Sequence, residues 1–242
     1  QSHLPMNTNL TEIAFILDRS GSMERLVPQT LRGFNDFLQQ HQALPGLARL
    51  TLVLFDDRYE VVADALPVAE VVALDETTYT PRGCTALLDA IGKTVDDLGQ
   101  RLAATPEPDR PGKVIVAILT DGLENASRRY SLADINQRIT CQRETYSWEF
   151  LFLGANQDAI ATAVRMGIAA RDSAVFSLDS VGMLASHHSL GRKSAALRRM
   201  AMGDQDPLAC ADCHSSLSEI VKEEDKKGRG KGKKGKEEGQ GK

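Results

Sequence analysis

Apolar runs of strand length recur along this 242-residue chain, and most neighbouring pairs leave room for a helix between them. That alternation limits the possible folds more than any single motif does. The segments "EIAFILD" (12–18), "RLTLVLF" (49–55), "YEVVADA" (59–65), "KVIVAILT" (113–120), "EFLFLG" (149–154) and "AVFSL" (174–178) read as strands. Helical spacing appears from Pro28 through Leu31, Phe34, Phe37, Leu38 and His41. It recurs in Leu87, Leu88, Ile91, Val95 and Leu98, and then around 131–147, 158–166 and 180–202. Only "DDR" separates the second and third strands, too little for a crossover, so they form an antiparallel hairpin. The pattern predicts an α/β fold: a doubly wound, mostly parallel six-stranded sheet with one antiparallel edge strand, helices on both faces, and "KVIVAILT" at its centre.

A chain of this length, 42% hydrophobic, buries one substantial core, so one domain over residues 6–205 is expected. Residues 1–5, "QSHLP", precede Met6 and read as a tag remnant. No stretch approaches the roughly 20 apolar residues that span a bilayer, and the first residues lack a charged region followed by an apolar one. The expectation is therefore a soluble, cytoplasmic protein with no membrane contact. Cys84, Cys141, Cys210 and Cys213 are too few and too unevenly spread for a disulfide scaffold, which suits a reducing compartment.

In open α/β sheets, sites form beyond the carboxyl ends of the strands, where the connection order reverses. "DRSGSM" (18–23) follows the first strand there, and "TDGLEN" (120–125) ends the central one. Residues two apart in an extended segment point the same way, and Gly21 lets the chain curve, so Asp18, Ser20 and Ser22 aim at one point. Asp121 joins them from the central strand, and Thr85, at the start of the next helix, reaches the same rim. Two carboxylates and three hydroxyls with no His or Cys suit a hard cation. Room for water favours octahedral Mg²⁺ or Mn²⁺ over the carboxylate-rich cage of Ca²⁺ and disfavours Zn²⁺.

Asp18-x-Ser20-x-Ser22 after an apolar strand, Thr85 in "GCTAL" and Asp121 in "LTDG" resemble the metal-ion-dependent adhesion site of von Willebrand factor type A domains. The likeness covers about residues 10–200 and is nearest to the small stand-alone bacterial members, in which "LTDG" and "FLGAN" are also familiar. It implies a Rossmann-like von Willebrand A fold and a metal approached by Ser20, Ser22 and Thr85, with Asp18 and Asp121 acting directly or through water. It further implies a last coordination position filled by an Asp or Glu side chain of a protein partner. Cys84 departs from the Gly or Asn more usual before the Thr. The function expected is that of a metal-dependent protein-binding adaptor. The alternatives are a component of an RNA-protein particle, where similar domains also occur, and a metal-dependent hydrolase.

An enzyme is disfavoured residue by residue. A phosphoaspartate hydrolase of the "DxDxT" kind needs a second acid where Ser20 stands. A serine nucleophile needs a nearby base, whereas the histidines at 3, 41, 187, 188 and 214 fall in the tag, in helices or near the end of the chain. The EF-hand pattern needs Glu at the position of Gln29.

Residues 221–242 hold nine Lys and Arg against five Asp and Glu, so an acidic body ends in a basic tail. With Val221 its one apolar residue and many glycines, the tail is expected to be disordered from about 206 onward. It is open to weak contact with an anionic surface or nucleic acid. "CADCH" (210–214) matches a haem-attachment spacing, but without export it reads as a surface thiol pair.

Overall fold

The computed structural model describes residues 6–156 and 158–237. Six strands form one sheet: β1 (Asn7–Asp18), β2 (Leu47–Phe55), β3 (Tyr59–Pro67), β4 (Pro111–Thr120), β5 (Glu149–Gly154) and β6 (Ser173–Val175). Their order is β3-β2-β1-β4-β5-β6, with β3 antiparallel to β2 and every other pairing parallel. The expected doubly wound sheet is thus present, and its order reverses between β1 and β4.

Period-two alternation decides which residue faces which layer. On one side Ile13, Phe15 and Leu17 pack with Phe34, Phe37 and Leu38 of α1 (Val27–Ala43) and Met183, Leu190 and Leu197 of α5 (Ser180–Ala201). On the other, Ala14, Ile16, Val116 and Ile118 meet α2 (Leu87–Ala104), α3 (Leu132–Tyr146) and α4 (Ala159–Arg165). Phe15 makes edge contacts with Phe37 at 4.9 Å and with Phe34 at 5.5 Å between ring centroids, the geometry the aromatic quadrupole favours. α1 and α5 approach so closely that a Cβ on Gly33 would stand 2.6 Å from the His187 ring. Trp148 and Phe152 are buried, as their positions beside β5 predict.

The end of the chain departs from the expected disorder. Residues 206–237 fold as α6 (Pro207–His214) and α7 (Leu217–Glu237); residues 238–242 of the expected tail, like the expected tag 1–5, lie outside the described residues. Leu217, Ile220 and Val221 form a buried stripe, of which Leu217 and Val221 join the core layer of α1 and α5. Acids of this segment are tied to the body by ion pairs: Arg192 of α5 pairs with Asp212, with Glu223 at 3.0 Å and with Glu224 at 2.7 Å. Buried Lys193 donates to the carbonyls of Cys213 and Ser215, each at 2.7 Å, satisfying groups that the end of α6 leaves open.

Both sheet edges are interrupted. β3 carries exposed Val61, Val62 and Leu66, but its register against β2 breaks on either side of Leu52, and Ala65 has a left-handed backbone (φ 49°). β6 is three residues long, and Ser218 of α7 donates to its Ser173 carbonyl at 3.1 Å. Among the described residues no helix is long and apolar enough to cross a membrane.

Two buried histidines are held neutral. Nδ1 of His41 accepts from Arg198 at 2.9 Å, so Nε2 carries the proton and donates to Ser194 at 2.8 Å; burial and then the Arg198 charge lower its pKa to about 3. His187 donates from Nδ1 to the Met183 carbonyl at 3.0 Å, and burial lowers its pKa to about 4. Because both folded values lie below the unfolded one, their contribution to stability is complete above about pH 6.5 and is lost progressively below it, by up to about 1.4 kcal/mol per pH unit for each ring. In NMR titrations the ring protons of His41 and His187 are expected to hold their neutral shifts from pH 8 to pH 5. A midpoint near pH 6.5 for either would contradict the burial described.

Truncation after Ser216 uncovers what Leu217, Ile220 and Val221 shield and is expected to lower the unfolding free energy by about 3 kcal/mol or more in urea denaturation. Truncation after Gly230 leaves that stripe and the Arg229–Asp179 pair in place and is expected to change it by less than about 0.5 kcal/mol.

Candidate metal centre at the carboxyl edge of the sheet

β1 and β4 are neighbours in parallel register, Leu17 opposite Leu119, so Asp18 and Thr120 end their strands side by side and Asp121 follows. The Asp18 side chain is fully buried. Its Oδ2 accepts from the Thr120 hydroxyl at 2.5 Å and its Oδ1 from the Ser20 N–H at 2.7 Å, the second bond turning the chain out of the strand. Tyr79 reaches over the same residue and donates to the Asp18 carbonyl at 2.6 Å.

The turn sets the next two hydroxyls against the second carboxylate. Ser20 Oγ and Ser22 Oγ lie 3.1 Å apart, and Ser22 Oγ donates to Asp121 Oδ1 at 2.7 Å. Thr85 arrives from the loop before α2. Its N–H donates to the Asn125 side chain at 2.9 Å, and its carbonyl accepts from the N–H groups of Asn125 and Ala126 at 3.0 and 3.2 Å. These bonds strap it to the segment after Asp121. A Cβ on Gly122 would stand 2.7 Å from Thr85 Oγ1, so the hydroxyl lies against Gly122, one residue from Asp121. All five residues expected at the site therefore meet at one rim.

Sequence reading missed the residues that hold these loops. Glu124 accepts from the Leu88 N–H at the start of α2 and from Ala126 and Ser127, while Asp89 accepts from the N–H groups of Arg128, Arg129 and Tyr130. Asn125 and Glu124 stand within "TDGLEN", and an acid followed by Asn, Ala and Ser is a turn signal that could have pointed to them.

Burial raises the pKa of Asp18 to about 6 despite the bonds from Thr120 and Ser20, and burial raises Asp121 as well despite the bond from Ser22. The buried Asp18 and half-buried Asp121 resist holding negative charge, and a cation placed between the hydroxyls would relieve that resistance. Among the described residues no group of three or more His, Cys, Asp and Glu could hold a metal, so any ion at this rim depends on hydroxyl oxygens. The other histidine and cysteine candidates diverge: His187 faces Phe15, His188 reaches Asp36 at 3.0 Å, and His214 Nδ1 donates to the Cys210 carbonyl at 2.7 Å. All four cysteines are free.

No protein-family model matches the sequence, and a search of curated proteins finds no match either. Solved structures do share the fold. Proximal thread matrix protein 1 from the mussel byssus superposes with a TM-score of 0.57 at 16% identity, over 78% of this chain and 46% of that one. A von Willebrand factor type A protein from Catenulispora acidiphila gives 0.51 at 17%, over 79% and 43%. Manganese-loaded TRAP protein of Plasmodium vivax gives 0.51 at 14%, over 73% and 72%. The chain thus spans less than half the length of the first two. The mussel protein is also known with zinc in its metal-ion-dependent adhesion site. These likenesses establish the von Willebrand A fold.

Gly122→Ala is expected to drive the new methyl into the Thr85 hydroxyl and destabilise the protein by about 1–3 kcal/mol, read from urea denaturation. Adding Thr85→Ala is expected to recover most of that loss; independent, additive effects would show that the two residues do not touch.

Proposed function

We propose that this chain is a divalent-cation-dependent protein-binding module whose partner contributes an acidic side chain. Ser20, Ser22 and Thr85 offer hydroxyls to the ion, Asp121 offers a carboxylate, and Asp18 orients the others. The spacing of the Ser20, Ser22 and Asp121 oxygens carries this reading. Oxygens on adjacent corners of an octahedral ion at about 2.0–2.1 Å stand about 3 Å apart, and the separations here are 3.1 and 2.7 Å. Bound there, the ion would supply Lewis acidity toward one further oxygen ligand.

The chain's own residues determine what that ligand is. Both Asp18 oxygens already accept hydrogen bonds from Thr120 and Ser20, so its charge acts from behind the hydroxyls. Ser20, Ser22 and Thr85 bring no charge, leaving Asp121 as the one charged group in direct reach of a divalent cation. An incoming Asp or Glu completes the balance, whereas Lys or Arg is repelled. Mg²⁺ and Mn²⁺ fit the all-oxygen set best; of the structures that share the fold, one is manganese-loaded and another carries zinc in its adhesion site, which supports a divalent cation in general. Ser22 Oγ is bonded to Asp121 rather than to a histidine, and the described histidines at 41, 187, 188 and 214 pair elsewhere, which favours binding over hydrolysis. The four free thiols accord with a reducing, cytoplasmic setting.

A second contact is supported by the end of the chain. Lys226 and Lys227 are exposed on α7 and open a run, 226–236, with seven Lys and Arg and no acid. Such a run suits a weak, salt-sensitive contact with an anionic partner, the property an RNA-protein component would need.

Mg²⁺ or Mn²⁺ at about 100 times its dissociation constant is expected to stabilise the protein by about 2.7 kcal/mol, seen as a higher melting temperature, and Asp121→Ala is expected to abolish that rise. An equal rise in Asp121→Ala would place the ion elsewhere. For partners captured from host lysate, EDTA is expected to release the complex, and replacing the partner's inserted carboxylate by its amide to weaken it by at least about tenfold, or 1.4 kcal/mol. A complex indifferent to both changes would refute the reading.

A further inference from the structure

The tip of the β2–β3 hairpin carries a carboxylate that the expected ligand pattern does not include. Asp56 is fully buried; its Oδ2 accepts from Nε of Arg19 at 3.1 Å and from Nε of Arg82 at 2.8 Å, and its Oδ1 accepts from the Arg58 N–H at 2.6 Å. Arg19 also reaches Glu60 at 2.7 Å, and Arg82 lies 3.8 Å from the same group. Burial alone would raise the Asp56 pKa, but the bonds from Arg82 and Arg58 and the charges of Arg19 and Arg82 hold it below the usual carboxylate range.

The two arginines sit where the site is assembled. Arg19 stands between Asp18 and Ser20, and Arg82 lies three residues before Thr85. Their main chains cross-link the same segments. Arg19 N–H donates to the Phe55 carbonyl at 2.8 Å, Arg82 N–H to the Arg19 carbonyl at 2.9 Å, Gly21 N–H to the Gly83 carbonyl at 3.2 Å, and Ala86 N–H to the Asp56 carbonyl at 2.8 Å. Gly83 has φ 62°, and a Cβ there would collide with the Asp57 carboxylate, so the loop before Thr85 is seated directly on the hairpin tip.

We propose that Asp56 is a positioning residue for the metal centre. By gathering Arg19 and Arg82 onto one buried oxygen, it joins the loop bearing Ser20 and Ser22 to the loop bearing Thr85, so that the hydroxyls stand in place before an ion arrives. Preassembly of this kind raises affinity by removing the cost of ordering the loops on binding. The role rests on the metal reading above, and its test separates the two. An ordinary stabilising tie would lower the melting point without altering the affinity of protein that is fully folded.

Asp56→Asn leaves Arg19 buried and under-compensated and can unfold the chain, so the informative variant is Arg82→Gln, which removes a side chain that is 44% exposed and leaves Asp56 paired with Arg19. Two measurements are made on folded, metal-free protein at 20 °C or below: amide hydrogen exchange at Gly21 and Ala86 against β4 as an internal control, and Mn²⁺ affinity by calorimetry. In Arg82→Gln, exchange at Gly21 and Ala86 is expected to quicken at least about tenfold with β4 unchanged, and Mn²⁺ binding to weaken about tenfold. Arg82→Lys, which keeps the charge, is expected to recover most of both. Either change without the other in Arg82→Gln overturns the proposal, as does the absence of both. Should the wild-type protein take no Mn²⁺, the metal reading falls; exchange then decides alone, and unchanged protection of Gly21 and Ala86 overturns the positioning role.

Discussion

The hydrogen bond from Thr120 to Asp18 spans the two strands between which the sheet reverses its order, and the rest of the site depends on it. A carboxylate at the end of a buried parallel strand has no water to solvate it, so it must find donors within the protein. Thr120 supplies one from the neighbouring strand, and the Ser20 N–H supplies the other from its own chain. The first bond requires β1 and β4 to end at the same level. The second bends the chain at once, before β1 can run on, and so fixes where Ser20 and Ser22 stand. The hydroxyl cluster follows from satisfying one buried acid.

What was legible in the sequence is whatever repeats or lies close along the chain. Apolar runs of strand length gave all six strands, and the short "DDR" link gave the antiparallel hairpin, because run length and loop reach are local constraints. Asp18, Ser20 and Ser22 could be read together because one extended segment aims them, Asp121 because strand ends share a rim, and Thr85 because it stands before the helix that reaches the same rim. Asp56 could not. Its partners Arg19 and Arg82 lie 37 and 26 residues away, and nothing in "FDDR" distinguishes the buried Asp56 from the exposed Asp57 beside it. The C-terminal helix was missed for a different reason. Counting composition from residue 221 onward separated Val221 from Leu217 and Ile220, and three buried apolar residues of one helix became a single apolar residue in a charged tract.

The layer containing α5 shows how a polar sequence can still build a core. Lys193 and Arg198 are buried, and each donates to main-chain carbonyls: those of Cys213 and Ser215 for the lysine, and of His41 for the arginine. Charge there serves to terminate helices and join them, a use that hydrophobic patterning does not register. The same independence from residue identity accounts for superpositions with distant structures at 14–17% identity, since the fold asks for a pattern and a few interior hydrogen bonds.

The interrupted sheet edges bear on how the molecule behaves in a crowd. An open sheet ends in rows of unpaired N–H and C=O groups that can recruit a strand from another molecule. Here the two ends are disarmed by different means. The β3 end is bent by its register breaks and by the left-handed Ala65, so its exposed valines do not lie along a straight template. The β6 end is short, and its Ser173 carbonyl is taken by Ser218 of α7. Colloidal solubility therefore rests in part on α7: until α7 has formed, β6 is bare, and for that interval self-association competes with completion of the fold.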